Sequence, residues 1–112
     1  MIDFTTTGVR ELNDAFRTSG SSAAGQWLIT AGVQAEGADF VTAAISAVRS
    51  FDSFTPDNDP WHERDCASIN VAGQTLIWKI DCYDPTLSHY SDNAADPAVT
   101  RRVLTVMLAS EY

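Results

Sequence analysis

The amino-acid sequence predicts an α+β fold: a small antiparallel sheet, made of a hairpin plus one strand, packed against three helices in the order α-β-α-β-β-α. Three patterns carry that expectation. Over two segments before residue 52, apolar residues recur every three or four positions, the spacing of a helix face. Around Ala72-Gly73 the pattern switches to strict alternation, the spacing of a half-buried strand. From Asp96 to the C-terminus an apolar run follows a helix-start signal.

The first helix is expected from about Thr6 to Thr18, where Val9, Leu12 and Phe16 form one stripe. Thr5, Thr6 and Thr7 are N-cap candidates, and Ser19-Gly20 is a stop signal. A loop of small residues, Ser21 to Gly25, leads into a β-prone run from Gln26 to Val33 that includes Trp27. The second helix is expected over about Ala38 to Phe51, with Val41, Ala44, Ile45, Val48 and Phe51 on one face. Thr55 to Glu63 reads as a loop, because two prolines and three Asp/Asn residues crowd it.

The hairpin strands are expected over about Arg64 to Val71 and Gln74 to Tyr83, joined by a two-residue primed turn at Ala72-Gly73. That connection pairs residue 71 with 74, 69 with 76, 67 with 78 and 65 with 80. Ile69, Leu76, Trp78 and Ile80 then share the core face. Ser68 beside Ile77, Cys66 beside Lys79 and Arg64 beside Asp81 occupy the other. Cys66 and Cys82 point to opposite faces, outside disulfide geometry, so both are expected as free thiols. Asp84 to Ala95 reads as a polar loop. Asp96 as N-cap and Pro97 at the first helical position predict a third helix that runs to the C-terminus and docks on the sheet through Val99, Val103, Leu104, Val106, Met107 and Leu108.

A chain of 112 residues with 45% apolar residues can bury one core, so a single domain is expected. No apolar run approaches the roughly 18 residues needed to span a bilayer. Met1-Ile2-Asp3-Phe4 has neither the basic nor the apolar region of a secretory signal, which points to a cytoplasmic protein. The absence of a long exposed apolar stripe favours a monomer.

The net charge of −8 is unevenly placed. Between Asp52 and Asp96 nine acids face only Arg64 and Lys79, so that segment carries nearly all of it. Direct binding of nucleic acid or anionic lipid needs a basic surface and is not expected. A basic protein surface is the partner this charge suits.

Catalytic patterns are sparse. Asp57-Asn58-Asp59-Pro60-Trp61-His62-Glu63-Arg64-Asp65 concentrates groups that can bind a metal or run acid–base chemistry. The segment lacks the glycine and terminal glutamate of a calcium loop, and His62 and His89 are too far apart for a zinc helix motif. No phosphate-cradling glycine pattern occurs, and no histidine is fixed beside Cys66 or Cys82. No cofactor, metal or catalytic residue is expected. Trp61 in the acidic loop is a candidate apolar anchor. Tyr83, Tyr90 and Tyr112 border the acids, an arrangement suited to holding Lys and Arg side chains.

The stretches DNDPWHERD (Asp57 to Asp65), WKIDCYD (Trp78 to Asp84) and DPAVTRRVLTVMLASEY (Asp96 to Tyr112) resemble an uncharacterised family of small alphaproteobacterial proteins associated with plasmids, phages and integrated elements. VRELNDAFR near the start is similar to its opening, so the resemblance spans essentially the whole chain. It implies a mobile-element context, in which small acidic proteins often act against host defence. The expected function is therefore an anti-CRISPR-type inhibitor that binds a type I CRISPR surveillance complex through an acidic surface and blocks target DNA binding. The expected contacts are Asp57, Asp59, Trp61, Glu63 and Asp65 from one segment, and Asp81, Asp84, Asp92 and Asp96 from the next. The alternatives are an accessory protein of the mobile element, such as a toxin-neutralising partner, and a small metal-dependent enzyme built on His62, Glu63 and Asp59.

Overall fold

The first helix, α1 (Phe4–Ser19), takes Thr5, Thr6 and Thr7, expected as caps, into its first turn. The computed structural model describes residues 4–19 and 25–112, so the small-residue loop before Gly25 lies outside the described residues. In α1 the buried positions are Val9, Asn13, Phe16 and Arg17, while Leu12 is only half-buried. The inward stripe is thus rotated from the apolar one and carries two polar side chains into the interior.

The β-prone run after Gly25 divides. Gly25–Ile29 is strand β1, and Ala31–Gln34 is a short helix, α2, because the Thr30 hydroxyl accepts from Val33 N and caps a new turn. Helix α3 (Ala38–Ser50) follows as expected and buries Ala44 and Val48. The hairpin strands are β2 (Cys66–Val71) and β3 (Gln74–Tyr83). Their register pairs Val71 with Gln74, Ile69 with Leu76, Ala67 with Trp78, Ser68 with Ile77 and Cys66 with Lys79, as the turn requires. Ala72 and Gly73 both have positive φ, 50° and 83°, the signature of a type I′ turn.

The C-terminal segment corrects the expectation. Asp96 does cap a turn, accepting from Ala98 N with Pro97 behind it, but that turn is a single 3-10 turn, Pro97–Val99. Arg101–Leu108 then forms strand β4, not a helix. The strand lies between β1 and β3 in the sheet order β1-β4-β3-β2, parallel to β1 and antiparallel to β3. The sheet is therefore four-stranded and mixed. The α+β class and the helix-on-sheet layering hold, and α2 supplies the third helix.

All three helices lie on one face. Phe16, Val33, Ala44 and Val48 pack there against Leu76, Trp78, Ile80, Leu104 and Val106. Two arginines complete the packing. Arg17, 2% exposed, donates from Nη1 to the carbonyls of Val48 and Phe51, which caps the C-terminus of α3. Its guanidinium also lies 5.1 Å from the Trp78 ring and 5.4 Å from the Phe54 ring, with Arg64 5.0 Å from Phe54 on its own account. Asp14 bridges both arginines, at 3.2 Å to Arg17 and 3.0 Å to Arg64. Arg64 is thus held by Asp14 and not beside Asp81, as the extended register had implied. This stack pins the segment between α3 and β2 to the core.

Candidate functional site

Strand β3 outruns β2. Cys66, the first residue of β2, pairs with Lys79, so Ile80 to Tyr83 extend past it. Residues 63–65 and 90–94 flank this overhang. Ile80 N donates to Asp65 O at 2.6 Å and Ser91 N to Cys82 O at 2.9 Å, with a bridge between Tyr83 and Tyr90. Between these walls lies a cleft of about 240 Å³, lined by Glu63, Asp65, Asp81, Cys82 and Tyr90, with Asn13 and Val9 of α1 at its base.

A buried polar network holds the two walls. Arg102, 1% exposed, donates from Nε to Asn13 Oδ1 (2.7 Å) and from Nη2 to the Ala94 carbonyl (2.8 Å). Asn13 passes the connection on, donating to the Glu63 carbonyl at 2.9 Å. Neither residue is recognisable as functional in the sequence. The available signal was Asn13 itself, four residues after Val9 and so on the inward side of the helix.

Electrostatics give the cleft its character. Burial, then the charges of Asp65 and Asp59, raise the Glu63 carboxyl above its ordinary value. Burial, with the charges of Asp59 and Asp81, raises Asp65. Burial also pushes up the Cys82 thiol, against the pull of Arg102, and the Cys66 thiol, with help from Asp65. Both cysteines are free, Cys66 exposed and Cys82 half-buried. Desolvated carboxylates this close to one another favour any cation that can enter. Tyr90, 71% exposed, stacks on Tyr83 with centroids 5.4 Å apart and presents an aromatic face at the rim.

The nine residues expected to contact a partner do not act alike. Glu63, Asp65 and Asp81 converge on the cleft, and Asp81 also pairs with Lys79 at 2.8 Å. Asp65 and Asp81 additionally border a hollow of about 380 Å³, lined by Cys66, Ser68, Ile77, Lys79 and Tyr112. Asp59 is buried and accepts from Arg64 N at 2.9 Å, so it serves the loop. Asp84 accepts from Thr86 N, Ser88 N and the Thr86 hydroxyl, bonds that hold its carboxyl below the usual range. Asp96 caps its turn. Asp57 and Asp92 are exposed, as is Trp61 at 77%, and none of the three lines the cleft.

The residues of the enzyme reading are not brought together. Asp59 and His62 line one hollow with Arg64, while Glu63 lines the cleft. Among the described residues, no group of three His, Cys, Asp or Glu is placed to hold a metal ion. No helix among them is long and apolar enough to cross a membrane.

The raised carboxyls have a measurable consequence. Glu63 and Asp65 bind protons more tightly folded than unfolded. Their contribution to stability is therefore complete below the ordinary values of 4.5 and 3.8 and is lost as pH rises through the raised ones. Glu63→Gln with Asp65→Asn is expected to stabilise the fold at neutral pH, by no more than about 1 kcal/mol because both groups reach solvent. Thermal melts across pH should show the gain shrinking as pH falls through the raised values and gone below the ordinary ones.

Searches of curated proteins and of solved structures give no match to the chain. A family model described as protein of unknown function (DUF3768) matches residues 29–111. The match begins at the last residue of β1, so Asn13 and Arg17 of α1 precede it, while Glu63, Asp65, Asp81, Tyr90 and Arg102 all fall inside. On that coverage the chain belongs to the DUF3768 family.

Proposed function

We propose that the protein is a binding module whose acidic cleft receives an arginine or lysine side chain from a basic protein surface. The observation that carries this reading is the convergence of Glu63, Asp65 and Asp81 beside the exposed face of Tyr90. Glu63 is held above its ordinary value by burial and then by the charges of Asp65 and Asp59, and Asp65 by burial and then by the charges of Asp59 and Asp81, so an entering cation relieves an unfavourable arrangement already present in the free protein. The aromatic rim adds a cation–π contact. Asp57 and Asp92, both exposed, extend the negative field and steer association.

The partner class follows from charge, size and the mobile-element context that the sequence resemblance implies. The proposed role is an anti-CRISPR-type inhibitor acting inside the bacterial host. It would occupy the DNA-binding groove of a type I surveillance complex with carboxylates in place of backbone phosphates. This step rests on analogy between acidic proteins of mobile elements.

The test is capture of purified type I complex by the tagged protein, at low and raised salt, with target DNA as competitor. Capture should weaken with salt and be displaced by DNA. Glu63→Gln with Asp65→Asn and Asp81→Asn should weaken it by roughly tenfold or more, without loss of fold. Asp59 is unsuitable for this test because its substitution disturbs the loop. Capture indifferent to DNA and to the triple substitution would move the interface off the cleft. No capture at either salt would remove the surveillance complex and favour the accessory-protein reading.

A further inference from the structure

The segment between α3 and β2 sorts its charges to two sides. Glu63 lines the acidic cleft, while its neighbours His62 and Arg64 line a separate hollow of about 130 Å³ with Arg10 of α1, Phe54, Thr55 and Asp59. Arg64 is set in place there. Asp14 accepts from its Nη1 at 3.0 Å, and its guanidinium lies 5.0 Å from the Phe54 ring. Arg10 is half-buried and makes no hydrogen bond or ion pair among the described residues, although Asp14 stands one turn along the same helix. Around this hollow three guanidiniums, those of Arg10, Arg17 and Arg64, meet two carboxylates. Asp14 is shared by Arg17 and Arg64, and the buried Asp59 is spent on Arg64 N. One positive charge is left over, on Arg10, in a chain of net charge −8. A partly desolvated cation without a counter-ion is a place for an anion.

We infer that this hollow binds a phosphate-type oxyanion between Arg10 and Arg64. Its wall is rich in donors: two guanidinium forks, an imidazole N–H from His62 and the Thr55 hydroxyl. The Thr55 oxygen already accepts from Asn58 N, which leaves its hydrogen to donate. A tetrahedral oxyanion accepts from several directions at once and so suits donors that come from α1 and from separate points of the segment. A planar carboxylate is satisfied by a single fork. Size narrows the ligand further. The hollow is well below the roughly 300 Å³ of a pocket for a drug-sized molecule, so it takes one phosphate group, and the rest of any larger molecule stays outside. The site carries the opposite sign to the acidic cleft and does not depend on the cation-binding reading.

The test is a titration of inorganic phosphate into isotope-labelled protein, followed by amide NMR, with sodium chloride holding the ionic strength fixed. The amide signals of Thr55, His62 and Arg64 should move and saturate with a Kd on the order of 1 mM. Tm should rise with phosphate concentration. Arg10→Gln should weaken binding by roughly tenfold. It should leave the melt without phosphate unchanged, because Arg10 holds no group in the free protein. Arg10→Lys keeps the charge and loses the fork, so it should fall between the two. O-phosphoserine separates the sources of the anion. Equal affinity places the phosphate on a larger molecule, and binding of inorganic phosphate alone makes the free anion the ligand. Shifts that fail to saturate overturn the inference. So does acetate binding as tightly as phosphate, or phosphate binding that survives Arg10→Gln.

Discussion

Trp78→Ala is expected to cost about 4 kcal/mol, enough to remove a large share of the stability of a domain this size. Trp78 is fully buried in the middle of β3, and the rings of Phe51 and Phe54 meet its ring edge-on at 6.1 and 6.2 Å. The guanidinium of Arg17 covers one side of it. Truncation leaves a cavity and removes the platform on which Phe54, and through it Arg64, are set. The segment that carries Glu63 and Asp65 should loosen before the sheet does. Thermal melts should show Tm lower by roughly 15 °C. Trp78→Phe should be far milder, at about 1 kcal/mol. It keeps most of the ring, and it removes an indole N–H that is buried with no acceptor among the described residues.

Arg102→Met is the second large effect, at about 3 kcal/mol by urea denaturation. Methionine fills much of the volume, so the loss is chiefly that of charged hydrogen bonds. Asn13 Oδ1 and the Ala94 carbonyl would be left inside without their donor. Adding Asn13→Leu should cost less than the sum of the two single changes, because it removes one of the orphaned groups. Two further readouts separate this network from generic packing. Partner capture should fall in the single variant, since the Ala94 and Glu63 walls of the cleft are tied through Arg102 and Asn13. The Cys82 thiol, already raised by burial and held back by Arg102, should rise further and react more slowly with thiol reagents at fixed pH.

These two residues also mark where sequence reasoning reaches and where it stops. Trp78 was legible as core because the hairpin is a local object. A two-residue turn with glycine second sets the register, and period-two alternation sets the face, with no knowledge of the rest of the chain. Helix α3 was legible for the same reason, from its period. Arg102 was not, because it was assigned to a helix. Its strand is central, and around it Val103 and Met107 are buried on one face and Leu104 and Val106 on the other. A strand buried on both faces reads as a continuous apolar run, which a helix can equally produce. The start signal at Asp96-Pro97 was genuine but short-range, and it launched one turn before the chain was claimed by the gap between β1 and β3.

The candidate site divides along the same line. That the middle of the chain is acidic, and suited to a basic partner, is a property of composition and belongs to the sequence alone. Which carboxylates are available is decided by the tertiary structure. Asp59 is consumed by Arg64 N, Asp84 and Asp96 by their own turns, and only Glu63, Asp65 and Asp81 meet in the cleft. The physical reason is range. Turn chemistry and periodicity act within a few residues, whereas the cleft depends on Asn13 meeting Arg102 across 89 positions and Glu63 across 50, contacts that exist only once α1 lies on the sheet.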